Sequence, residues 1–286
     1  MQIQSLYTIV RLENINMYAA HSMSMQVRLG PAGIPLMCKG NNTLEGIRCA
    51  KAIGLSAMEI EFVRGVYLRE TAAKSVGDIA KSLNIALSCH APYYINLASK
   101  NPDVVEKSMK YISDTLRISD LCGATIAVIH AGFYTSQGEA ETYALIKSAV
   151  SRLSSKAKIG IETMGRQKQF GTLDEIERLV QECENVAPVI DFAHIHARTG
   201  GSIKTKADFK KILDRFDRHS ISPLHCHMTG IKYENSNEKH HIPISSFEPD
   251  FRLLAQLLNE NAYNLTIISE SPLLEEDALL FKTWLE

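Results

Sequence analysis

The chain has 286 residues, 45% of them apolar and 22% charged, with a formal net charge of −1. Those totals describe a globular chain able to bury a sizeable core without disulfides, and they exclude an overall basic nucleic-acid footprint. They do not exclude DNA as a substrate, because bound metal ions add positive charge that residue counting misses.

The length suits one α/β barrel and does not force a second domain. No apolar run approaches the length of a membrane span, so no membrane is expected. Cys38, Cys49, Cys89, Cys122, Cys183 and Cys226 are scattered, with no CxxC pair. They are expected to be free, mostly buried thiols of a reducing, cytoplasmic setting. Residues 1–25 lack the apolar stretch of a signal peptide and precede the regular pattern. They are expected to be an extension without chemistry, with one barrel domain over 26–286.

From Gln26 onward, short apolar strands alternate with amphipathic stretches. A first strand reads Gln26 to Gly30, and a helix runs from the Asn42 and Thr43 region to Gly54. A second strand spans Ala57 to Phe62, followed by a helix over about Thr71 to Leu83. A third strand spans Ile85 to His90; Val105, Met109, Ile112 and Leu116 then share one helical face. The fourth strand is Ala124 to His130, and Tyr143, Ile146, Val150 and Leu153 mark the next helix. The fifth is Lys158 to Thr163, the sixth Val186 to Asp191, the seventh Ile221 to Met228 and the eighth Leu265 to Glu270. Helical faces follow each: Ile176 to Cys183, Phe209 to Phe216, Phe251 to Leu258 and Ala278 to Trp284. Eight βα units in order predict a parallel (β/α)8 TIM barrel.

In such a barrel the active site lies where strands end and loops begin. Here the third strand ends in His90, the fourth in His130, the fifth in Glu162, and the sixth in Asp191 with His194 just beyond. The seventh ends in His225 and His227, and the eighth in Glu270. Side-chain alternation puts His90 with Ser88, Glu162 with Gly160, and Glu270 with Ile268, so the ligand types can face the mouth together. A lone histidine at a strand end is more often a hydrogen-bonded structural residue. Six consecutive strands finishing in metal-ligand types are hard to treat as independent accidents. Imidazole with carboxylate and no cysteine pair suits zinc, manganese or iron, and the donors outnumber the four that one zinc ion usually takes. A multinuclear site follows, of the kind that clamps a phosphodiester and activates water.

Seven short segments in order carry a family resemblance: HAPYYINLAS from His90, IHAG at His130, IETMG at Glu162, IDFAHIHAR at Asp191, HCHMTGIK at His227, EKHH from Glu238, and SESP at Glu270. In these the chain, from about Gln26 to its end, resembles the endonuclease IV family of DNA-repair enzymes, within the xylose-isomerase-like barrel superfamily. The resemblance implies three zinc ions per chain, a monomer, and hydrolysis 5′ to abasic sites in double-stranded DNA, as in base excision repair. It implies a first metal on His90, His130 and Glu162. Glu162 would bridge to a second held by Asp191, His227 and Glu270. His194, Glu238 and His240 would take a third. It also implies a hydroxide between the first two metals as the nucleophile, so that Glu162 and Glu270 act through the metals they hold. Glu238 departs from the aspartate usual in the family. His240 is preferred because carboxylate-x-His matches the family pattern, with His241 the alternative. His225 is read as supporting His227, and His196 as polar loop filling.

For DNA contacts, Tyr93 stands where the family places an aromatic wedge. Arg64 and Tyr67 lie on the loop after the second strand, a candidate for minor-groove insertion. Arg198 and Lys232 are candidates for phosphates. The main rival is a single-metal sugar isomerase or epimerase of the same superfamily, for which Glu162, Asp191, His227 and Glu270 would suffice. Glu59 and Glu61 favour it slightly, while the surplus histidines argue against it. A catalytically idle, metal-bound DNA-binding protein is a third possibility.

Overall fold

The eight expected strands form, run parallel, and follow one another around a barrel. A computed structural model describes residues 26–286 except 41, 137, 218 and 220. The extension expected over 1–25 lies outside the described residues. In chain order the elements are β1 (Gln26–Pro31), α1 (Thr43–Ala52), β2 (Ala57–Glu61), α2 (Glu70–Leu83), β3 (Ala86–His90), α3 (Pro102–Cys122) and β4 (Ile126–Ile129). Then come α4 (Glu139–Val150), β5 (Lys158–Glu162), α5 (Leu173–Glu182), β6 (Val186–Asp191), α6 (Phe192–Arg198), α7 (Lys206–Asp217) and β7 (Leu224–Met228). A ribbon of β8 (Gly230–Glu234) and β9 (Asn237–Ile242) precedes α8 (Phe251–Glu260), β10 (Asn264–Ser269) and α9 (Glu275–Leu285). Between β1 and β2 the closure is slight: Ala32 bridges Glu59, and Ser56 N–H donates to the Leu29 carbonyl at 2.9 Å.

Helix starts follow local chemistry. Asn42 accepts the Glu45 N–H, Asn101 precedes a proline at the first turn of α3, and Thr172 with Glu175 closes a reciprocal capping box on α5. Gly123 ends α3 in the left-handed region, where a side chain would be strained.

The ladder register decides which side chains face inward. Glu61 pairs with His90, His90 with Val128, and Val128 with Gly160, so these residues share the inner face. Ile126, Val128, Ala187 and Val189 fill part of that interior, and a methyl added at Gly160 would meet Ile126 and Val189. The alternate residues, such as Ile159 and Ile161, join the large apolar layer shared with the helices.

Two features depart from expectation. Cys38 and Cys49 form a disulfide, with Cα atoms 6.1 Å apart, because the loop after β1 folds back along α1. The free, buried thiols expected throughout are therefore Cys89, Cys122, Cys183 and Cys226 alone. The ribbon β8–β9 is also unforeseen; it turns at Asn235 and Ser236, both with positive φ. Among the described residues, no helix is long and apolar enough to cross a membrane.

Candidate metal centre

The strand ends bring the candidate ligands together. Donor atoms of His90, His130 and Glu162 lie within 4.8 Å of one another. So do those of Glu162, Asp191, His227 and Glu270, and those of Asp191, His194 and His241. Glu162 belongs to the first two groups and Asp191 to the last two, so the three groups form one continuous cluster.

Main-chain carbonyls decide which ring nitrogens are free. His90 donates its Nδ1–H to the Ala91 carbonyl at 2.8 Å, so Nε2 is the nitrogen left to face Glu162 Oε2, 3.5 Å away. His130 Nε2 lies 2.7 Å from the same oxygen. His194 donates Nδ1–H to the Thr163 carbonyl at 2.9 Å, and His241 donates Nδ1–H to the Glu270 carbonyl at 3.1 Å. Their Nε2 atoms then face each other at 3.4 Å. Only a proton or a cation can sit favourably between them. The spacing matches two nitrogens on one tetrahedral ion with bonds of roughly 2.0–2.1 Å. Asp191 caps α6, its Oδ1 accepting the His194 N–H at 2.6 Å. His227 Nδ1 lies 3.1 Å from Glu162 Oε1 and 3.3 Å from Glu270 Oε1.

Several of these buried atoms lack hydrogen-bond partners: His90 Nε2, Glu162 Oε2, Asp191 Oδ2 and His227 Nε2. Buried polar atoms are normally satisfied, and so many orphans converging on one volume fit a set of divalent ions. Gly165 contributes space, since a methyl there would meet Glu238 and His194. A cleft of about 440 Å³ opens above, lined by Tyr93, His130, Phe133, Arg166, His241 and Glu270 among others.

The electrostatics agree. Burial opposes a charge on His90, but Glu61 and Glu162 outweigh it and hold the ring at about 10. Burial lifts the Glu270 carboxyl to about 8 and that of Glu61 to about 7. Burial works against Glu162 too, yet His130 and His227 hold it well below the usual carboxylate range. At neutral pH the metal-free chain thus carries protons on His90 and Glu270 that must leave before either can ligate. Metal binding should release protons, and affinity should rise with pH up to about 8 as Glu270 loses its proton and on toward about 10 as His90 does. Titration calorimetry in buffers of different ionisation enthalpy reads this directly; binding without proton release would contradict it.

In the third group the ring facing His194 is the alternative one. His240 is exposed, and His241 is the ring turned toward His194. The cause is a bulge: Tyr233 opposes Glu238 but Lys232 opposes His240, leaving Lys239 as an extra residue. That residue shifts the alternation, so Glu238 shares its face with His241 rather than His240. Glu238 Oε2 lies 3.6 Å from His194 Nε2.

The expected DNA contacts divide. Tyr93 is 46% exposed, packs against His90 and His130 with ring centroids 5.1 and 5.4 Å away, and stands at the mouth. Arg64 sits in the turn after β2, a loop tied to that of β3 by the Tyr93 N–H to the Val63 carbonyl. Tyr67 is exposed but rests on Phe62, its hydroxyl 3.3 Å from Thr43. Lys232 is exposed on β8, opposite His240. Arg198 does not reach outward. Its guanidinium donates to the carbonyls of Met164, Arg166, Gln167 and Gln169, clamping the loop after β5. It sits one helical turn past His194, so α6 points it back across that loop. His196 is likewise a buried link, donating to Glu248 and accepting the Ile203 N–H.

Three residues at the site were missed or undervalued. Arg166 Nη2 lies 3.7 Å from Glu238 and lines the cleft, and Phe133 is 39% exposed at its rim. Neither has a sequence signal beyond proximity to a ligand motif. Glu59, read only as a weak pointer to sugar chemistry, is fully buried between His225 and His227.

A family model described as a xylose isomerase-like TIM barrel matches residues 47–283. An uncharacterized protein of Methanocaldococcus jannaschii is 34% identical over 88% of this chain and 94% of that one. A protein of Methanosphaera stadtmanae named probable endonuclease 4 is 28% identical over 59% of this chain and 64% of its own. Two solved structures share the fold. One is endonuclease IV from Thermus thermophilus, with TM-score 0.68 and 20% identity over 90% of this chain and 98% of that one. The other is a D-tagatose 3-epimerase-like protein, with TM-score 0.67 and 19% identity over 90% and 94%.

Proposed function

The chain belongs to the xylose isomerase-like TIM barrel family, and on that premise we propose that it is a metal-dependent DNA-repair endonuclease that hydrolyses the phosphodiester 5′ to abasic sites. The observation that carries this reading is the run of three donor groups joined through Glu162 and Asp191. That is more than a single-ion enzyme needs. His90, His130 and Glu162 would hold one ion; Glu162, Asp191, His227 and Glu270 a second; His194, Glu238 and His241 a third. The donor set suits zinc, with manganese or iron as substitutes. Ions so held supply Lewis-acid stabilisation of a phosphodiester and make water a competent nucleophile near neutral pH.

The chain's own residues bind and orient. Arg166, at the cleft wall, meets a phosphate oxygen with its fork of donors. Tyr93 and Phe133 offer ring faces to the gap left by a missing base, and Arg64, on the loop after β2, would meet the groove, while Tyr67 would have to leave Phe62 and Thr43 to join it. The near-neutral charge of −1 places most of the attraction for the backbone in the metal centre and a few arginines rather than in a basic surface.

A second reading is a single-metal sugar epimerase. What favours it is Glu61, whose Oε1 is buried without a partner beside the mouth and could accept a sugar hydroxyl. One experiment separates the two: elemental analysis of the purified protein, with nicking of a duplex carrying a single abasic-site analogue against an undamaged control. Three ions per chain and incision at the analogue support the endonuclease. One ion and no incision sink it.

A further inference from the structure

We infer that Arg198 is a positioning residue for the third ion: acting through main chain, it gathers the loop after β5 into a wall that holds Glu238 and His194 face to face. This rests on the reading of His194, Glu238 and His241 as one donor group. Between residues 164 and 169 the main chain turns so that its carbonyls converge. Nη1 of Arg198 donates to the carbonyls of Met164, Arg166 and Gln169 at 3.4, 2.5 and 2.9 Å, and Nη2 to that of Gln167 at 3.3 Å. Carbonyl dipoles aimed at one point repel one another unless a cation sits among them. A planar fork with separate nitrogens answers such a set, whereas a lysine offers only a point charge with three donors.

The wall meets the ribbon on its other side. The Gly165 carbonyl accepts the Glu238 N–H at 3.1 Å, and the Gln167 N–H donates to Asn237 Oδ1 at 2.9 Å. The Gln167 side-chain amide donates to the carbonyls of Ser236 at 3.0 Å and Arg198 at 2.6 Å, so one residue ties ribbon, loop and α6 together. Gly165 sets the spacing: a methyl there would lie 2.9 Å from Glu238 Oε2 and 3.0 Å from His194 Cδ2. The loop is thus packed between the two elements that carry the third group, α6 with His194 and β9 with Glu238 and His241. Glu238 Oε2 faces His194 at 3.6 Å, while its Oε1 faces Arg166 at 3.7 Å. Moving the loop therefore moves that carboxylate and Arg166 together. Barrel strands hold the first two groups directly, so the effect of the clamp should fall on the third ion. Outer partners of this kind orient ligands and tune affinity.

The test compares wild type, Arg198→Ala, Arg198→Lys and Gln167→Ala as full-length, zinc-loaded proteins. Ion content, chelator competition and steady-state incision of an abasic-site duplex are measured together. R198A should weaken one ion by about 10–100-fold and leave the other two in place. It should also raise KM, because Arg166 shifts with the loop. Added methylguanidinium, which fits the vacated space, should restore the ion to R198A, and methylammonium at the same concentration should not. R198K should behave like R198A, since charge without the fork does not gather four carbonyls. Q167A leaves the clamp in place and cuts the tie to the ribbon, so it should weaken the same ion by about fivefold, as for one ordinary hydrogen bond. A folded R198A that keeps every ion at wild-type affinity, or loses all of them alike, would overturn this assignment alone. So would full recovery in R198K. If R198A does not fold, Q167A decides, and wild-type affinity there overturns the assignment. A wild-type protein with fewer than three ions overturns the proposed function before any variant is compared, and this assignment with it.

Discussion

Substituting Glu162 by alanine should cut abasic-site incision by about 10³-fold or more, the loss expected when several kcal/mol of Lewis-acid stabilisation disappear. Among the described residues no other side chain is so shared. Its Oε2 faces His130 at 2.7 Å and His90 at 3.5 Å, while Oε1 faces His227 at 3.1 Å and His194 at 3.2 Å. Removing it takes a donor from two of the three groups and leaves four rings, three of them buried, without their common anion. Glu162→Gln keeps the shape and loses the charge, so it should fall nearly as far if the carboxylate is a bridging ligand. Ion content, single-turnover incision and circular dichroism, measured together, separate lost chemistry from lost fold. A folded E162A that nicks at the parental rate would remove the centre from the mechanism.

The second large effect distinguishes two neighbouring histidines. His241→Ala should lower the ion content by one and reduce incision by more than about 100-fold, beyond the range typical of an outer-shell partner. His240→Ala should stay within about twofold, as for most exposed substitutions. The contrast follows from one inserted residue. In a regular strand Glu238 and His240 would share a face. With Lys239 bulged out, Glu238 and His241 do. His240 reaches the edge of the cleft but does not face His194. The reverse result, with His240 essential and His241 dispensable, would mean that the ribbon in solution has the regular register.

The barrel was legible because each strand and helix announces itself by period, and because the period of two also states which residues face inward. Gly160 with Glu162, and Ser88 with His90, follow from alternation alone. The resemblance was legible because its motifs sit at strand ends, where backbone geometry leaves little freedom. Reading failed where position depends on a partner remote in sequence. Arg198 has the composition of a phosphate contact, but its neighbours across the loop are carbonyls. Glu59 looked like a mouth acid, yet it reaches His225 and His227 through the interior.

Local pattern along the chain was enough to dictate a parallel eight-stranded barrel and a rim of imidazole and carboxylate groups on successive strands. Hydrophobic periodicity and strand alternation are local properties and need no knowledge of what lies opposite. Packing in three dimensions brought donor atoms of three groups together around Glu162 and Asp191, turned His241 rather than His240 toward His194, and joined Cys38 to Cys49. Each of those depends on a distance across the barrel, on one residue's shift in a ribbon, or on a loop folding back. Such quantities are set when the elements pack, not by their order along the chain.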